Sequence, residues 1–144
     1  MASSFETRPS DPEDARVLPV IHAGARRDPT VLTIGHSNQP ISSFLDLLAR
    51  YAIELVVDVR SQPGSAYSPH FGATTLRHQL YQVGLRFLFL GHELGGRPDD
   101  ARYYDELGYT LYDRLSESTQ FQSGISTLMA EASGHKLAIM CSEE

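Results

Sequence analysis

Four polar clusters, each placed directly after a short apolar run, contain the residues of this sequence that could do chemistry. The apolar runs are residues 31–34, 54–57, 85–90 and 136–140, and the clusters that follow them read Gly35-His36-Ser37, Asp58-Val59-Arg60-Ser61, Gly91-His92-Glu93-Leu94-Gly95-Gly96 and Cys141-Ser142-Glu143-Glu144. They supply imidazole, carboxylate, guanidinium, hydroxyl and thiol groups, which serve in proton transfer, anion binding and nucleophilic attack. The clusters therefore predict a ligand site, although they do not identify its ligand.

The second cluster contains a potential anion clamp. The Arg60 guanidinium could hold a phosphate or a carboxylate through two parallel hydrogen bonds, with Ser61 and the glycine-bearing loop behind it as further donors. Asp58 could orient Arg60, act as a base or bind a ribose hydroxyl. An Asp–Arg pair that only fixes the loop is an equal alternative for Asp58, whereas we predict that Arg60 binds the ligand.

The first cluster offers an imidazole at His36, which is suited to proton transfer near neutral pH, and a hydroxyl at Ser37. A helix is predicted to begin next to them, and its first amide groups would favour an anion. For Ser37 the favoured interpretation is that it only caps the helix, with Asn38 as the other capping candidate. We therefore assign the chemical role to His36 in preference to Ser37.

The third cluster, residues 91–97, combines His92 and Glu93 as acid and base candidates with Arg97 as a second cation. Its glycines would let the backbone approach a ligand closely, although a Gly-Gly step is most often only a turn. The segment is not a phosphate-binding P-loop, because no Gly-Lys-Ser/Thr follows, and it is not a dinucleotide fingerprint.

Cys141 and Glu143 belong to the last cluster. A cysteine at the end of a strand could act as a nucleophile. The charges of Glu143 and Glu144 would repel an anionic substrate, so a buried, inert Cys141 is the favoured alternative. No paired His or Cys spacing typical of a metal site occurs, so we predict no bound metal and leave the cofactor open.

The loop of residues 61–71 is too long and too polar to be only a connector, and such loops often carry function. Its residues Tyr67, His70 and Phe71 could line the pocket and stack on a planar group such as a nucleic-acid base. An equally good interpretation is that Phe71 only anchors the loop to the core.

Helix-like stretches separate the apolar runs, and this alternation predicts a three-layer α/β domain of Rossmann-like architecture, with a mainly parallel sheet of about four strands. Apolar periodicity predicts helices at about residues 41–52, 73–83 and 99–115, and a further helix that Ser118 caps and that ends before Gly134. Gly84 is the predicted left-handed cap of the second helix. Because ligands bind outside the carboxyl ends of parallel strands, the four clusters should gather along that edge.

Composition narrows the class of protein. A chain of 144 residues suits one domain, and we predict a flexible leader over residues 1–30 followed by a single domain over 31–144 that is a fragment of a longer protein. The net charge of −6 argues against a binder of duplex DNA. The single cysteine fits a reducing compartment, and no apolar stretch approaches the ~20 residues of a membrane span, so a cytoplasmic location is expected.

Five ordered motifs resemble the domain-of-unknown-function 488 family. They are Thr33-Ile34-Gly35-His36-Ser37, Val57-Asp58-Val59-Arg60-Ser61-x-Pro63, His70-Phe71, Glu93-Leu94-Gly95-Gly96-Arg97 and Cys141-x-Glu143. The resemblance implies an α/β domain in which these residues cluster, and it implies no established reaction. Similar members usually continue into a Cys-His-Arg motif, which does not follow here.

The leading hypothesis is an enzyme-like domain that binds a small anionic ligand, phosphate-bearing or nucleotide-like. A homodimer is also compatible with this hypothesis. Arg60 and Arg97 would hold the anion, His36 or His92 would move protons, and Asp58 would orient Arg60. The alternative is a non-catalytic module that recognises single-stranded nucleic acid or a protein, in which Tyr67, Phe71 and Tyr103 would stack. Thiol chemistry at Cys141 is a third option.

Overall fold

The strands in the described part of the protein form one parallel sheet. The computed structural model describes residues 30–64 and 67–142. In this part of the chain the strands are β1 (Val31–Gly35), β2 (Leu55–Asp58), β3 (Arg86–Phe89) and β4 (Leu137–Cys141). Their order across the sheet is β1-β4-β2-β3, and every neighbouring pair is parallel. All four predicted strands are thus confirmed, as is their parallel pairing.

The helices lie between the strands. They are α1 (Ile41–Arg50), α2 (Ala73–Gln82), α3 (Gly91–Leu94), α4 (Tyr112–Ser116) and α5 (Thr119–Gly134), with two 3₁₀ turns at Pro69–Phe71 and Ala101–Tyr103. Two predicted boundary residues are confirmed. Gly84 follows α2 with a φ of 77°, and the Ser118 hydroxyl caps α5 by accepting a hydrogen bond from the Phe121 N–H at 3.1 Å.

Apolar residues cover both faces of the sheet. Val56 faces a core that includes Phe44 of α1 and Leu80 of α2. Its neighbours Leu55 and Val57 face a second core that includes residues of α5. Successive side chains of a strand point to opposite faces, so a strand that is apolar throughout must be covered twice. The result is the predicted three-layer α/β architecture, with α1 and α2 on one face and α5 on the other.

The prediction of a helix over residues 99–115 is wrong. This segment contains the second 3₁₀ turn, an antiparallel bridge between Tyr104 and Thr110, and only the short helix α4. The Asp105 carboxylate accepts hydrogen bonds from the N–H groups of residues 107 and 109, and Gly108 has a φ of 84°. A turn built in this way competes with the helix, because Asp bonds to nearby backbone and Gly adopts positive φ at little cost. Leu107, expected on the buried face of the helix, is 82% exposed.

Two smaller predictions also need correction. Neither Ser37 nor Asn38 caps α1, whose N-cap is Pro40 and has no side-chain hydrogen bond. Ser37 instead turns the chain with a φ of 45°. The third cluster is not a simple loop, because α3 makes one helical turn within it. Of the predicted leader over residues 1–30, residues 1–29 lie outside the described residues.

Candidate functional site

Backbone hydrogen bonds join the carboxyl ends of all four strands. The His36 N–H donates to the Cys141 carbonyl at 3.1 Å, and the Val59 N–H donates to the Met140 carbonyl at 3.1 Å. The Leu90 N–H donates to the Asp58 carbonyl at 2.9 Å. These bonds hold the residues after β1, β2, β3 and β4 along one edge of the sheet, where the polar clusters were expected to gather.

Asp58 and Arg60 form a buried ion pair at this edge. Arg60 Nε donates to Asp58 Oδ1 at 2.9 Å and Arg60 Nη2 donates to Asp58 Oδ2 at 2.7 Å. Their side chains are 0% and 5% exposed, respectively. Arg60 Nη2 also donates to the Phe71 carbonyl at 2.8 Å, which fastens the first 3₁₀ turn to the sheet. The carboxylate therefore orients the guanidinium, one of the roles considered for Asp58, and most of the guanidinium donors are already used within the protein.

His36 lies beside this pair in an apolar setting. Its ring stacks on Phe71, with centroids 4.6 Å apart and planes inclined by 22°. Burial lowers the pKa of His36 below 6.5, the Arg60 charge acts in the same direction, and the Ser37 carbonyl opposes both. His36 Nδ1 lies 2.8 Å from that carbonyl. A neutral ring that donates from Nδ1 keeps its lone pair on Nε2, so His36 can act as a base.

Phe71 is part of the core. The residue is 0% exposed, and its ring contacts the rings of Phe44 and His70 as well as that of His36. The loop is therefore anchored to the core through Phe71, and the ring has no exposed face for stacking on a base. Tyr67 is 96% exposed. Of the three residues expected to stack in a nucleic-acid module, Phe71 is thus buried, Tyr67 is exposed and Tyr103 is half-buried.

A polar cavity of about 210 Å³ lies on the other side of the β2 end. Its lining comes from the β2 and β3 loops, the second 3₁₀ turn, α4 and the start of α5: Ser61, Gly91, His92, Glu93, Arg97, Pro98, Asp99, Asp100, Arg102, Tyr103, Leu115, Ser118 and Gln120. The chain leaves β2 toward α2 on one face of the sheet and leaves β3 toward α5 on the other. A crevice opens where neighbouring connections diverge in this way, and ligands of α/β proteins bind in such crevices.

Two glycines allow the loops to meet behind the cavity. A Cβ atom on Gly95 would collide with the Gly91 carbonyl and with the Ser61 hydroxyl, and one on Gly91 would collide with the Arg60 carbonyl. This close approach lets Ser61 Oγ accept a hydrogen bond from the Arg97 N–H at 2.9 Å. Gly91 and Gly95 therefore serve the close packing of the two loops.

The charged side chains of the cavity differ in their pairing. Arg102 Nη2 lies 2.6 Å from Asp100 Oδ2, and hydrogen bonds from Arg102 hold the pKa of Asp100 below its usual range. The Arg97 guanidinium has no hydrogen bond or ion pair with any residue in the described ranges. Glu93 Oε2 is buried and likewise has no hydrogen-bond partner among the described residues.

The predicted site residues thus fall into two groups on either side of the β2 end. His36, Asp58, Arg60 and Phe71 form the buried group, with the half-buried His70 against Phe71. Ser61, His92, Glu93 and Arg97 line the cavity. Ser37 follows His36 in the sequence, and the half-buried Cys141 lies beside His36 on the neighbouring strand β4. Glu143 lies outside the described residues.

Sequence reasoning missed Asp100, Arg102 and Gln120 as lining residues. A signal for the first two was present, because Asp100-x-Arg102 repeats the spacing of Asp58-x-Arg60 and forms the same two-pronged pair. Gln120 gave no signal. It reaches the cavity from α5, where its Nε2 donates to the His92 carbonyl at 2.9 Å.

The described residues, 30–64 and 67–142, also bear on metal binding and on membrane insertion. Within these ranges no three His, Cys, Asp or Glu side chains are grouped so that they could hold a metal ion. No helix in the same ranges combines the length and apolarity that crossing a membrane requires.

Gly124 provides a test of how α5 positions the cavity wall. A Cβ atom at this position would lie 2.5 Å from Glu93 Cβ and 2.9 Å from Leu94 Cδ2. We expect Gly124→Ala to destabilise the protein by about 1–3 kcal/mol, because overpacking outweighs the higher helix propensity of alanine. Urea unfolding would measure the loss. Gly134→Ala in the same helix is the control, since open space surrounds that position; equal effects of the two variants would contradict the packing argument.

The comparisons with known proteins identify the family alone. No curated protein and no solved structure matches the chain. Residues 40–144 match the family described as "domain of unknown function DUF488". This range extends from the start of α1 to the end of the chain and includes four of the five motifs that resemble the family. The match covers well over half of the chain, which therefore belongs to this family of unknown function.

Proposed function

We propose that the cavity beside the β2 and β3 ends binds a small anionic ligand, phosphate-bearing or nucleotide-like, and that the protein is an enzyme acting on it. The observation that carries this proposal is the Arg97 guanidinium, which lines the cavity without a partner in the described ranges. A guanidinium offers five N–H donors in a planar fork that matches phosphate and carboxylate oxygens. Arg97 is thus the anchor of the anion.

Ser61 supplies a second donor to the same anion. Its Oγ accepts a hydrogen bond from the Arg97 N–H, so the hydroxyl proton remains available for a ligand oxygen. The Asp58–Arg60 pair lies directly before Ser61 and fixes the backbone from which the hydroxyl projects. Arg60 then acts by positioning, and Arg97 supplies the charge.

His92 and Glu93 are the groups of the cavity suited to proton transfer. His92 is exposed and its ring packs edge-on against Phe89, with centroids 5.2 Å apart. An exposed imidazole can exchange protons with solvent, whereas the Glu93 carboxylate can accept a proton from a bound hydroxyl or water. The two residues are neighbours on α3 and share the cavity lining with Arg97.

Phosphate titration of matched variants tests the proposal. Arg97→Ala should weaken binding of inorganic phosphate and of adenosine monophosphate about tenfold or more, because a hydrogen bond to a charged group contributes roughly 1.5–3 kcal/mol. Titration calorimetry would give the affinities. Arg50→Ala is the matched control, since Arg50 is an exposed cation in the last turn of α1.

The wild-type protein and the control should bind alike. Unchanged phosphate affinity in Arg97→Ala would show that Arg97 is not the anchor. Failure of the wild-type protein to bind either probe would overturn the proposed function itself. The proposal also includes a cytoplasmic location and a homodimer. The molecular mass of the protein in solution tests the homodimer.

A further inference from the structure

We infer that the ligand of this cavity carries a hydrogen-bond donor, a hydroxyl or a protonated amine, beside its anionic group, and that Glu93 accepts from it. This inference rests on the proposed function and narrows it to phosphorylated sugars and amino sugars. Four observations support it: the Glu93 carboxylate has an acceptor without a donor, packing holds α3 in place, the lining carries more negative than positive charge, and the cavity is small.

The Glu93 carboxylate has an unused acceptor. Oε2 is buried, and no described residue donates a hydrogen bond to it. Removing a carboxylate oxygen from water without giving it a donor costs free energy, so folded proteins rarely leave such an atom alone. Because Glu93 lines the cavity, a molecule bound there can supply the donor.

Packing holds the carboxylate in this position. Glu93 lies on α3, which packs against α5 at the side-chain-free surface of Gly124. The main chain of α3 is fixed as well: the Leu94 N–H donates to the Leu90 carbonyl at 2.8 Å, and the His92 carbonyl accepts from Gln120. The backbone that carries the Glu93 side chain is therefore preorganised, and only the end of that side chain has to turn for the buried Oε2 to meet a ligand donor.

The charge of the lining also disfavours a plain anion. Asp100 and Arg102 neutralise each other at 2.6 Å. Among the described residues, the lining then contains one arginine without an ion-pair partner, Arg97, and two further carboxylates, Glu93 and Asp99. A simple dianion would meet more negative than positive charge, whereas a ligand with an anionic end and a donor end matches both kinds of group.

The size of the cavity agrees with a small ligand. Sites for drug-sized molecules have volumes of roughly 300–1,000 Å³. The cavity of about 210 Å³ is smaller, which suits a single sugar ring and its phosphate better than a dinucleotide.

Calorimetry with three probes tests the inference: inorganic phosphate, glucose 6-phosphate and glucosamine 6-phosphate. The wild-type protein should bind at least one sugar phosphate tenfold or more tightly than inorganic phosphate. Glu93→Gln keeps the shape of the side chain but replaces one acceptor oxygen by a donor. It should abolish this preference and leave the affinity for inorganic phosphate equal or higher. If the wild-type protein prefers glucosamine 6-phosphate to glucose 6-phosphate, the donor is an amine. If it binds the two sugar phosphates equally, and both more tightly than inorganic phosphate, the donor is a hydroxyl.

Asp46→Asn is the matched control, because it removes the same charge from an exposed position on α1, outside the cavity lining. It should retain the preference for the sugar phosphate. The inference is overturned if wild-type protein binds all three probes equally, or if Glu93→Gln retains the preference. In either case the proposed function stands as long as Arg97→Ala still weakens phosphate binding. If phosphate binding is absent or independent of Arg97, the proposed function fails first.

Discussion

Replacing Asp58 with alanine is expected to destabilise the protein by about 3–5 kcal/mol, because it leaves the Arg60 guanidinium buried without its counter-charge. The carboxylate accepts from the Arg60 backbone N–H at 3.1 Å as well as from the Arg60 side chain at 2.9 and 2.7 Å. One substitution thus removes the partner of three donors at the β2 end. Chemical denaturation followed by circular dichroism would measure the free energy of unfolding.

The chain contains its own control for this experiment. Asp100 and Arg102 form a pair of the same spacing and geometry, but their side chains are 39% and 80% exposed. Asp100→Ala should therefore cost far less, since water solvates the released guanidinium. Similar losses for the two aspartates would mean that burial does not govern the Asp58–Arg60 pair. In a double-mutant cycle, Asp58→Ala with Arg60→Met should recover much of the loss, because the uncompensated charge is gone.

Replacing Phe71 with alanine is expected to cost about 3–5 kcal/mol, as the truncation of a buried aromatic residue usually does. The ring is 0% exposed and lies among His36, Phe44 and His70, so its removal leaves a cavity under the first 3₁₀ turn. Thermal and urea unfolding would measure the loss, and Phe71→Leu, which fills most of the space, should show a smaller one.

The same substitution should also change the titration of His36. Burial is the largest cause of its lowered pKa, so water entering beside the ring should raise the pKa toward 6.5. In the wild-type protein the unfolded chain binds the proton more readily, and stability therefore falls as the pH drops below 6.5 toward the folded pKa. This slope should flatten in Phe71→Leu or Phe71→Ala. An unchanged His36 titration by NMR would show that Phe71 does not shield the imidazole.

The sequence predicted the sheet well because its signals are local. Each strand is a short apolar run, and a run that is apolar on both faces, such as residues 55–57, must lie inside a covered parallel sheet. The two helix caps are also determined locally. Gly84 ends α2 because glycine adopts a positive φ, and Ser118 begins α5 because its hydroxyl accepts one backbone hydrogen bond.

The parts that escaped prediction depend on contacts between distant segments or on competing local bonds. The periodicity of residues 99–115 resembled a helix, yet the Asp105 side chain and Gly108 favour a turn. The cavity requires Gln120 of α5 to meet the loop after β3, and no spacing in the sequence encodes that meeting. The division of the site residues at the β2 end likewise follows from the sheet order, which places α2 and α5 on opposite faces.

The sheet order also has a consequence for how the molecule is made. β4 lies between β1 and β2, although it is the last of the described strands in sequence, and β1 pairs with no other strand in that part of the chain. As the chain leaves the ribosome, β2, α2 and β3 can associate early through neighbouring contacts. β1 must wait until residues 137–141 emerge and enter the gap. The nascent protein therefore acquires His36 at the sheet edge only after residues 137–141 have emerged, and a ligand can meet the edge of the four described strands only after that step.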